Sequence, residues 1–321
     1  VSDFREIFER SVQQNFVAEY LTGRTPNPCV RCNTFIKWGA MLQQAEDLGA
    51  DFLATGHYGR VSFNPLSQRW ELRRAFDQHK DQSYALWGVR QAALARTLFP
   101  LGELTKPEVR ELARGLHLKT AEKKESQEIC FIPDNDYRRY LRERAPEQVE
   151  AYGEGQYVDQ SGKVLGEHQG VPFYTVGQRK GLGLAVGRPI FVTHIDPSNN
   201  TITIGEEDEL LRHEFVATSV NWIAEYRPQD GRKVTSKIRY RDAGAAAVDL
   251  RRLLRLPDRA RAAASRKRAG AQGPGVRGGR SHSAMRARGA AVQAHGRPTR
   301  RARRNRRRPA APMADAAPTA R

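Results

Sequence analysis

The sequence predicts an α/β domain that gives way to small β-rich modules, and three observations predict it. Helical periodicity meets a short apolar strand within residues 3–55, the pattern of an α/β unit. From about Gly153 the chain turns to short β-prone runs broken by glycine, and from residue 243 its composition changes altogether. At 321 residues there is length for two or three domains with their own cores. The chain opens on Val1 with no leader-like pattern after it, and no apolar run approaches the ~20 residues of a membrane span. With three cysteines, a reducing, cytoplasmic setting is expected.

In order, Phe4, Ile7, Phe8, Val12, Phe16, Val17 and Tyr20 recur at helical spacing, an amphipathic helix that Gly23 ends. The stretch TPNPCVRCN, Thr25 to Asn33, then sets two prolines and two cysteines within nine residues. Each proline fixes its own φ and pushes the preceding residue toward extended backbone, so a rigid turn is expected there. A helix follows from Ile36 to Gly49; were it to begin near Asn33, the Cys32 thiol would sit at its N-terminus, where thiolate is favoured. Asp51 to Thr55 reads as a short buried strand ending at Gly56-His57, and ligands collect at that edge of α/β sheets. His57 taken alone reads equally well as an exposed loop histidine. A strand over 70–76 precedes Lys80-Asp81-Gln82-Ser83-Tyr84, which opens a helix or forms a mixed-charge surface turn. Thr105-Lys106-Pro107-Glu108 is a capping box with proline in the first turn of a helix through Leu116.

Two cysteines three apart admit a half zinc site, a redox pair, or a nucleophile with a neighbour that tunes it. A closed zinc site wants four ligands, and no second CxxC or finger-spaced histidine pair occurs. A thioredoxin-like motif fits prolines on its N-terminal side poorly. The third cysteine, Cys130, lies far along the chain in SQEICFI, where its apolar neighbours also suit a small buried hydrophobe.

Beyond Gly153, Gln156 to Val158, Lys163 to Leu165, Pro189 to Ile195 and Thr201 to Ile204 read as strands of an all-β module. Phe173 to Gly183 mixes aromatics, bases and glycines, a blend suited to RNA, or to a basic hairpin tip. A third module begins near Phe215, with a strand over Val234 to Arg241. Residues 243–321 hold 20 Arg, one Lys and three Asp, and no Phe, Trp, Tyr or Ile. The whole net charge of +18 therefore resides there, with acids and bases balanced before it. Such a tail lacks the means to build a core and is expected to be disordered. It reads as an out-of-frame translation more readily than as an arginine-rich RNA-binding arm.

TPNPCVRCN, IKW, ATGHY, KDQSY, FPLG, SQEICFI and FYTVGQRKGLG, in this order over residues 1 to about 241, resemble the bacterial tRNA-specific 2-thiouridylases. The resemblance implies the C-terminal part of a PP-loop ATP pyrophosphatase-like domain (1–148), a central β-rich domain (149–210), the start of a β-barrel (211–242) and an unrelated tail (243–321). The family's S-G-G-x-D-S loop, which would hold ATP pyrophosphate, occurs nowhere in these residues. Before Cys130, Glu125 and Glu128 stand where the family carries Asp and Gly.

By resemblance, ATP with Mg2+ adenylates oxygen 2 of the wobble uridine, Cys130 carries a persulfide, and Cys32 releases its sulfur and closes a Cys32–Cys130 disulfide. Gly56 is implied at the nucleotide; Asn27, Pro28, Cys29, His57, Lys80, Asp81, Gln82, Arg239 and Tyr240 are implied on the tRNA side. The implied partners are the tRNA anticodon arm and a sulfur-relay protein or cysteine desulfurase, with the enzyme a monomer. Cys29 stands where many relatives carry Asp, which opens a second possibility: Cys29, Cys32 and Cys130 as ligands of a [4Fe–4S] cluster. A non-enzymatic RNA-binding protein and a thiol redox protein are the readings from other classes. Without the ATP loop, this chain alone is expected to be inactive.

Overall fold

A computed structural model describes residues 1–123, 129–211, 215–226, 232–237, 245–249, 286–288 and 291–293. The first helix, α1, covers residues 5–21, with a π-helical turn at Glu9–Gln13. Its apolar stripe buries Val12, Phe16 and Tyr20, as the periodicity requires. Gly23 follows with φ +66°, and a Cβ there would stand 2.8 Å from Pro197, so only glycine allows both the turn and the close approach. The second helix, α2, covers residues 28–47 and is π-helical over Cys32–Met41.

Two short parallel strands follow, β1 (Leu53–Ala54) and β4 (Thr97–Leu98), paired Leu53 to Thr97. Between them lies the antiparallel hairpin of β2 (Arg60–Asn64) and β3 (Arg69–Arg73). A 3-10 turn at Ser83–Leu86 and a one-turn helix, α3 (Gln91–Leu94), complete this layer. The expected buried strand at 51–55 is shorter and more open, with Phe52 and Ala54 exposed, because β4 is its one partner among the described residues. Trp38, Leu42, Leu86, Val89, Ala93 and Leu94 form the core beneath it. Helix α4 (Lys106–Gly115) starts on the expected capping box: the Thr105 N–H donates to Glu108 Oε2 at 2.7 Å.

Helices α5 (Tyr137–Arg144) and α6 (Pro146–Tyr152) lead into β5 (Gly155–Val158), β6 (Val164–His168), β7 (Phe191–Asp196) and β8 (Thr201–Gly205). These four form an open sheet in the order β6-β5-β8-β7, antiparallel except for the β5–β8 pair. The larger core is continuous from α1 to this sheet, joining Phe16 and Tyr20 to Ile132, Leu141, Tyr157 and Ile202. The boundary drawn at 148/149 thus crosses packed side chains. Residues 173–183 are pinned to β7, with the Gly177 N–H on Val192 O at 2.7 Å. Phe173, Tyr174 and Leu182 enter the core and are not free to stack on bases, while Arg179 and Lys180 face solvent.

In the third module β9 (Val216–Thr218) pairs with β12 (Arg286–Arg288), and β10 (Lys233–Lys237) lies between β11 (Ala245–Asp249) and β13 (Ala291–Gln293). Three of these strands fall within 243–321; the rest of that stretch lies outside the described residues. Arg69 Nε and Gln91 Nε2 both donate to Ile223 O, at 2.9 and 2.8 Å, strapping this module to the α/β layer. No helix among the described residues is long and apolar enough to cross a membrane.

Candidate active site

The cysteine segment is the first turn of α2. Asn27 is the N-cap, its Oδ1 accepting the Val30 N–H at 3.2 Å, and Pro28 takes the first helical position, where its missing N–H costs nothing. Proline rigidity, read above as a turn, here starts a helix. Cys29 is exposed in that first turn, and Cys32, three residues on, shares its face and is half-buried. The helix N-terminus accordingly lies at Cys29 and one turn away from Cys32.

Side chains fix this helix on all sides. Asn33, buried, donates through Nδ2 to Ala85 O at 2.9 Å; Trp38 Nε1 donates to Thr97 Oγ1 of β4 at 2.7 Å. Arg31 Nε donates to Ser11 O in the π turn of α1 at 2.5 Å, and its guanidinium lies over the Phe35 ring. Thr34 Oγ1 donates to Val30 O at 2.8 Å, and the Leu42 N–H reaches back to Lys37 O, five residues earlier.

Lys37 projects to His57, Nζ to Nε2, at 3.1 Å, and His57 Nδ1 is 2.8 Å from Thr55 Oγ1. An ammonium only donates, so Nε2 accepts and the ring proton sits on Nδ1, donating to Thr55. The imidazole packs against Trp38 and Phe99. Burial first, and the Lys37 charge second, push His57 down to about 4, leaving it neutral at pH 7. It is therefore a built-in member of the site and not an exposed loop histidine.

Cys130 is exposed beside the other core, where its neighbours Ile129 and Phe131 pack, so it is not the small buried hydrophobe its apolar neighbours also suited. Next to it Phe131 packs edge-on against Phe16 at 5.3 Å and contacts Phe8 and Tyr140, so α1 anchors this cysteine while leading into the helix that bears the other two. Glu125 and Glu128 lie outside the described residues. All three thiols are free. Although solvent reaches Cys29, the protein packed around it desolvates the thiol and raises it, and Cys130 raises it further, against Lys37. Burial also raises Cys32; Lys37 opposes this, while Cys130 and Cys29 add to it. The three thiols thus share one electrostatic neighbourhood. Among the described residues no three His, Cys, Asp or Glu side chains are grouped to hold a metal ion.

Residues 1–134 match the tRNA methyl transferase HUP domain family, and residues 139–206 match the tRNA methyl transferase PRC-barrel domain family. The chain is 50% identical over 250 residues to the tRNA-specific 2-thiouridylase MnmA of Salinibacter ruber, covering 77% of this chain and 65% of that protein. It is 52% identical over 223 residues to its namesake in Carboxydothermus hydrogenoformans, covering 70% of this chain and 60% of the relative. For the Moorella thermoacetica protein of the same name the figures are 49% over 248 residues, 77% and 69%. The chain belongs to the tRNA-specific 2-thiouridylase family. It spans between 60% and 69% of the length of these relatives.

In this 2-thiouridylase-family chain, Gly56 is exposed at the carboxyl end of β1, and a Cβ there would meet only Leu101, at 3.6 Å. Asp81 is buried: its Oδ1 accepts the N–H groups of Ala75 and Ser83, and its Oδ2 accepts the Ser83 hydroxyl at 2.8 Å. Gln82 Oε1 accepts the Tyr58 N–H at 2.9 Å. Both side chains shape the turn beside His57 before they meet any ligand. Lys80 is half-exposed on that turn, while Arg239 and Tyr240 lie outside the described residues. Sequence reasoning missed Lys37 and Thr55. A lysine five residues after a cysteine is off-face in an α-helix, so no ordinary periodicity marks it.

Proposed function

We propose that this chain carries out the sulfur-transfer half of tRNA 2-thiolation, delivering sulfur to carbon 2 of the wobble uridine. The observation that supports it most is the set of free thiols itself: Cys32 on the first turns of α2, and Cys130 beside Phe131, which packs on α1. Cys130 receives sulfur as a persulfide from a cysteine desulfurase or relay protein. Its terminal sulfur attacks carbon 2 of the activated uridine and the oxygen-2 leaving group departs. The Cys32 thiolate then attacks Cys130 Sγ, the S–S bond breaks toward the thiolated base, and a Cys32–Cys130 disulfide remains. An external dithiol supplies the two electrons that restore the pair. Activation of the uridine uses ATP with Mg2+, and Gly56 leaves an open edge for the nucleotide at the carboxyl end of β1. Lys80, Arg179 and Lys180 supply positive charge for the anticodon arm. We infer a cytoplasmic monomer.

The test is sulfur loading of the purified chain by a cysteine desulfurase with labelled cysteine, followed by peptide mass spectrometry without reductant. Cys32→Ser is expected to accumulate persulfide on Cys130, and the parent to release sulfide and close Cys32–Cys130. Label confined to Cys29 or Cys32 would sink the assignment. RNA binding that is salt-sensitive and ignores anticodon sequence, with no persulfide, would favour a non-enzymatic binder.

A further inference from the structure

We propose that Lys37 is a positioning residue for the Cys32 nucleophile, its ammonium turned onto the Cys32 face by the π-helical register of Cys32–Met41 and held there by His57 and Thr55. The inference rests on reading Cys32 as the attacking thiolate. In an α-helix, residues five apart lie about 140° around the axis, so a lysine at this spacing would point away. Hydrogen bonding from i to i+5 winds the helix more loosely and brings residues five apart toward one face, which is the spacing from Cys32 to Lys37. The Thr34 hydroxyl on Val30 O and the Asn33 amide on Ala85 O hold the helix in this register.

The identity of the acceptor matters as much as the register. A carboxylate partner would hold Lys37 and cancel its field. Neutral imidazole holds it through one lone pair at 3.1 Å and leaves the positive charge uncompensated. Thr55 completes the device, since its hydroxyl fixes the ring proton on Nδ1 and so keeps Nε2 an acceptor. Among the described residues no carboxylate pairs with Lys37. The charged groups bearing on Cys32 are Lys37, which favours its thiolate, and Cys130 and Cys29, which disfavour it. A persulfide-cleaving thiolate needs such a counter-charge, because burial at this position otherwise favours the thiol.

The test is the pH–rate profile of Cys32 alkylation by iodoacetamide in the full chain, read by peptide mass spectrometry, which needs neither tRNA nor a sulfur donor. Lys37→Met is expected to slow Cys32 alkylation about tenfold near pH 7 and move its inflection upward, with Lys37→Arg retaining most of the rate. His57→Phe should shift the profile in the same direction, and His57→Gln, which restores an acceptor, should recover it. In the parent, high salt should slow Cys32 alkylation by screening the ammonium. Superimposable profiles for parent and Lys37→Met would overturn the proposal; should that variant fail to fold, a salt-insensitive parent together with an unshifted His57→Phe profile would do so. Failure of the Cys32–Cys130 disulfide to form would instead overturn the sulfur-transfer reading and leave these alkylation rates unchanged.

Discussion

The carboxylate of Asp81 accepts from two backbone N–H groups and one hydroxyl in a buried turn, and that inventory decides what its loss would do. Asp81→Ala strands the Ala75 and Ser83 N–H groups away from water, so we expect a loss of about 2–3 kcal/mol in urea denaturation. Loss of tRNA binding without loss of stability would instead make Asp81 a direct contact. At this scale the sequence was legible in kind but not in role. The cysteines and His57 stand out as residue types able to do chemistry, yet Asp81 and Gln82 look like surface polar groups in a charged string. Only the fold reveals that Ala75, Ser83 and Tyr58 already occupy their oxygens. Lys37 has the opposite history, since its importance depends on a helical register that no residue-type preference encodes.

Helix α2 carries two of the three thiols, so whatever seats the helix seats the site. Gly88 backs it closely: a Cβ there would stand 2.1 Å from Thr34 Oγ1. Gly88→Ala is therefore expected to displace the Thr34 hydroxyl from Val30 O and destabilise the chain by about 1–3 kcal/mol. Thr34→Ala should largely rescue it by clearing the space, giving a double-mutant coupling of about 1 kcal/mol or more; additive losses would refute the contact. Elements whose signals are local were readable from sequence: the α1 stripe, the Thr105 capping box and the strands of the β module. The start of α2 was not, because Asn-Pro is at once a turn signal and a cap followed by proline at the first helical position. Partners on distant elements, the Ala85 carbonyl and the Thr97 hydroxyl among them, tip that balance toward helix.

Across the molecule, the α/β-then-β order was legible, whereas the sharing of one core between α1 and the β module was not, since period alone cannot say against what a stripe packs. That core encloses His168, between Tyr157 and Tyr174 at ring distances of 5.0 and 5.3 Å, with Nδ1 accepting the Gly170 N–H at 3.0 Å. Burial pushes it down to about 4 from its ordinary 6.5. The unfolded chain then binds a proton between those values that the folded chain refuses, so stability is fully present above about pH 6.5 and is lost as pH falls toward 4. The expected loss is on the order of 3 kcal/mol for His168, and His57, shifted the same way, adds with the same sign. Carboxylates held low by hydrogen bonds, such as Asp159 and Asp196, lose their contribution only as pH falls below about 4, so the two windows separate. Urea midpoints between pH 4.5 and 7 should rise with pH and then level, and His168→Gln should remove about half of that slope, His57 carrying the rest. A midpoint independent of pH over that range would mean that His168 is not held neutral in the core.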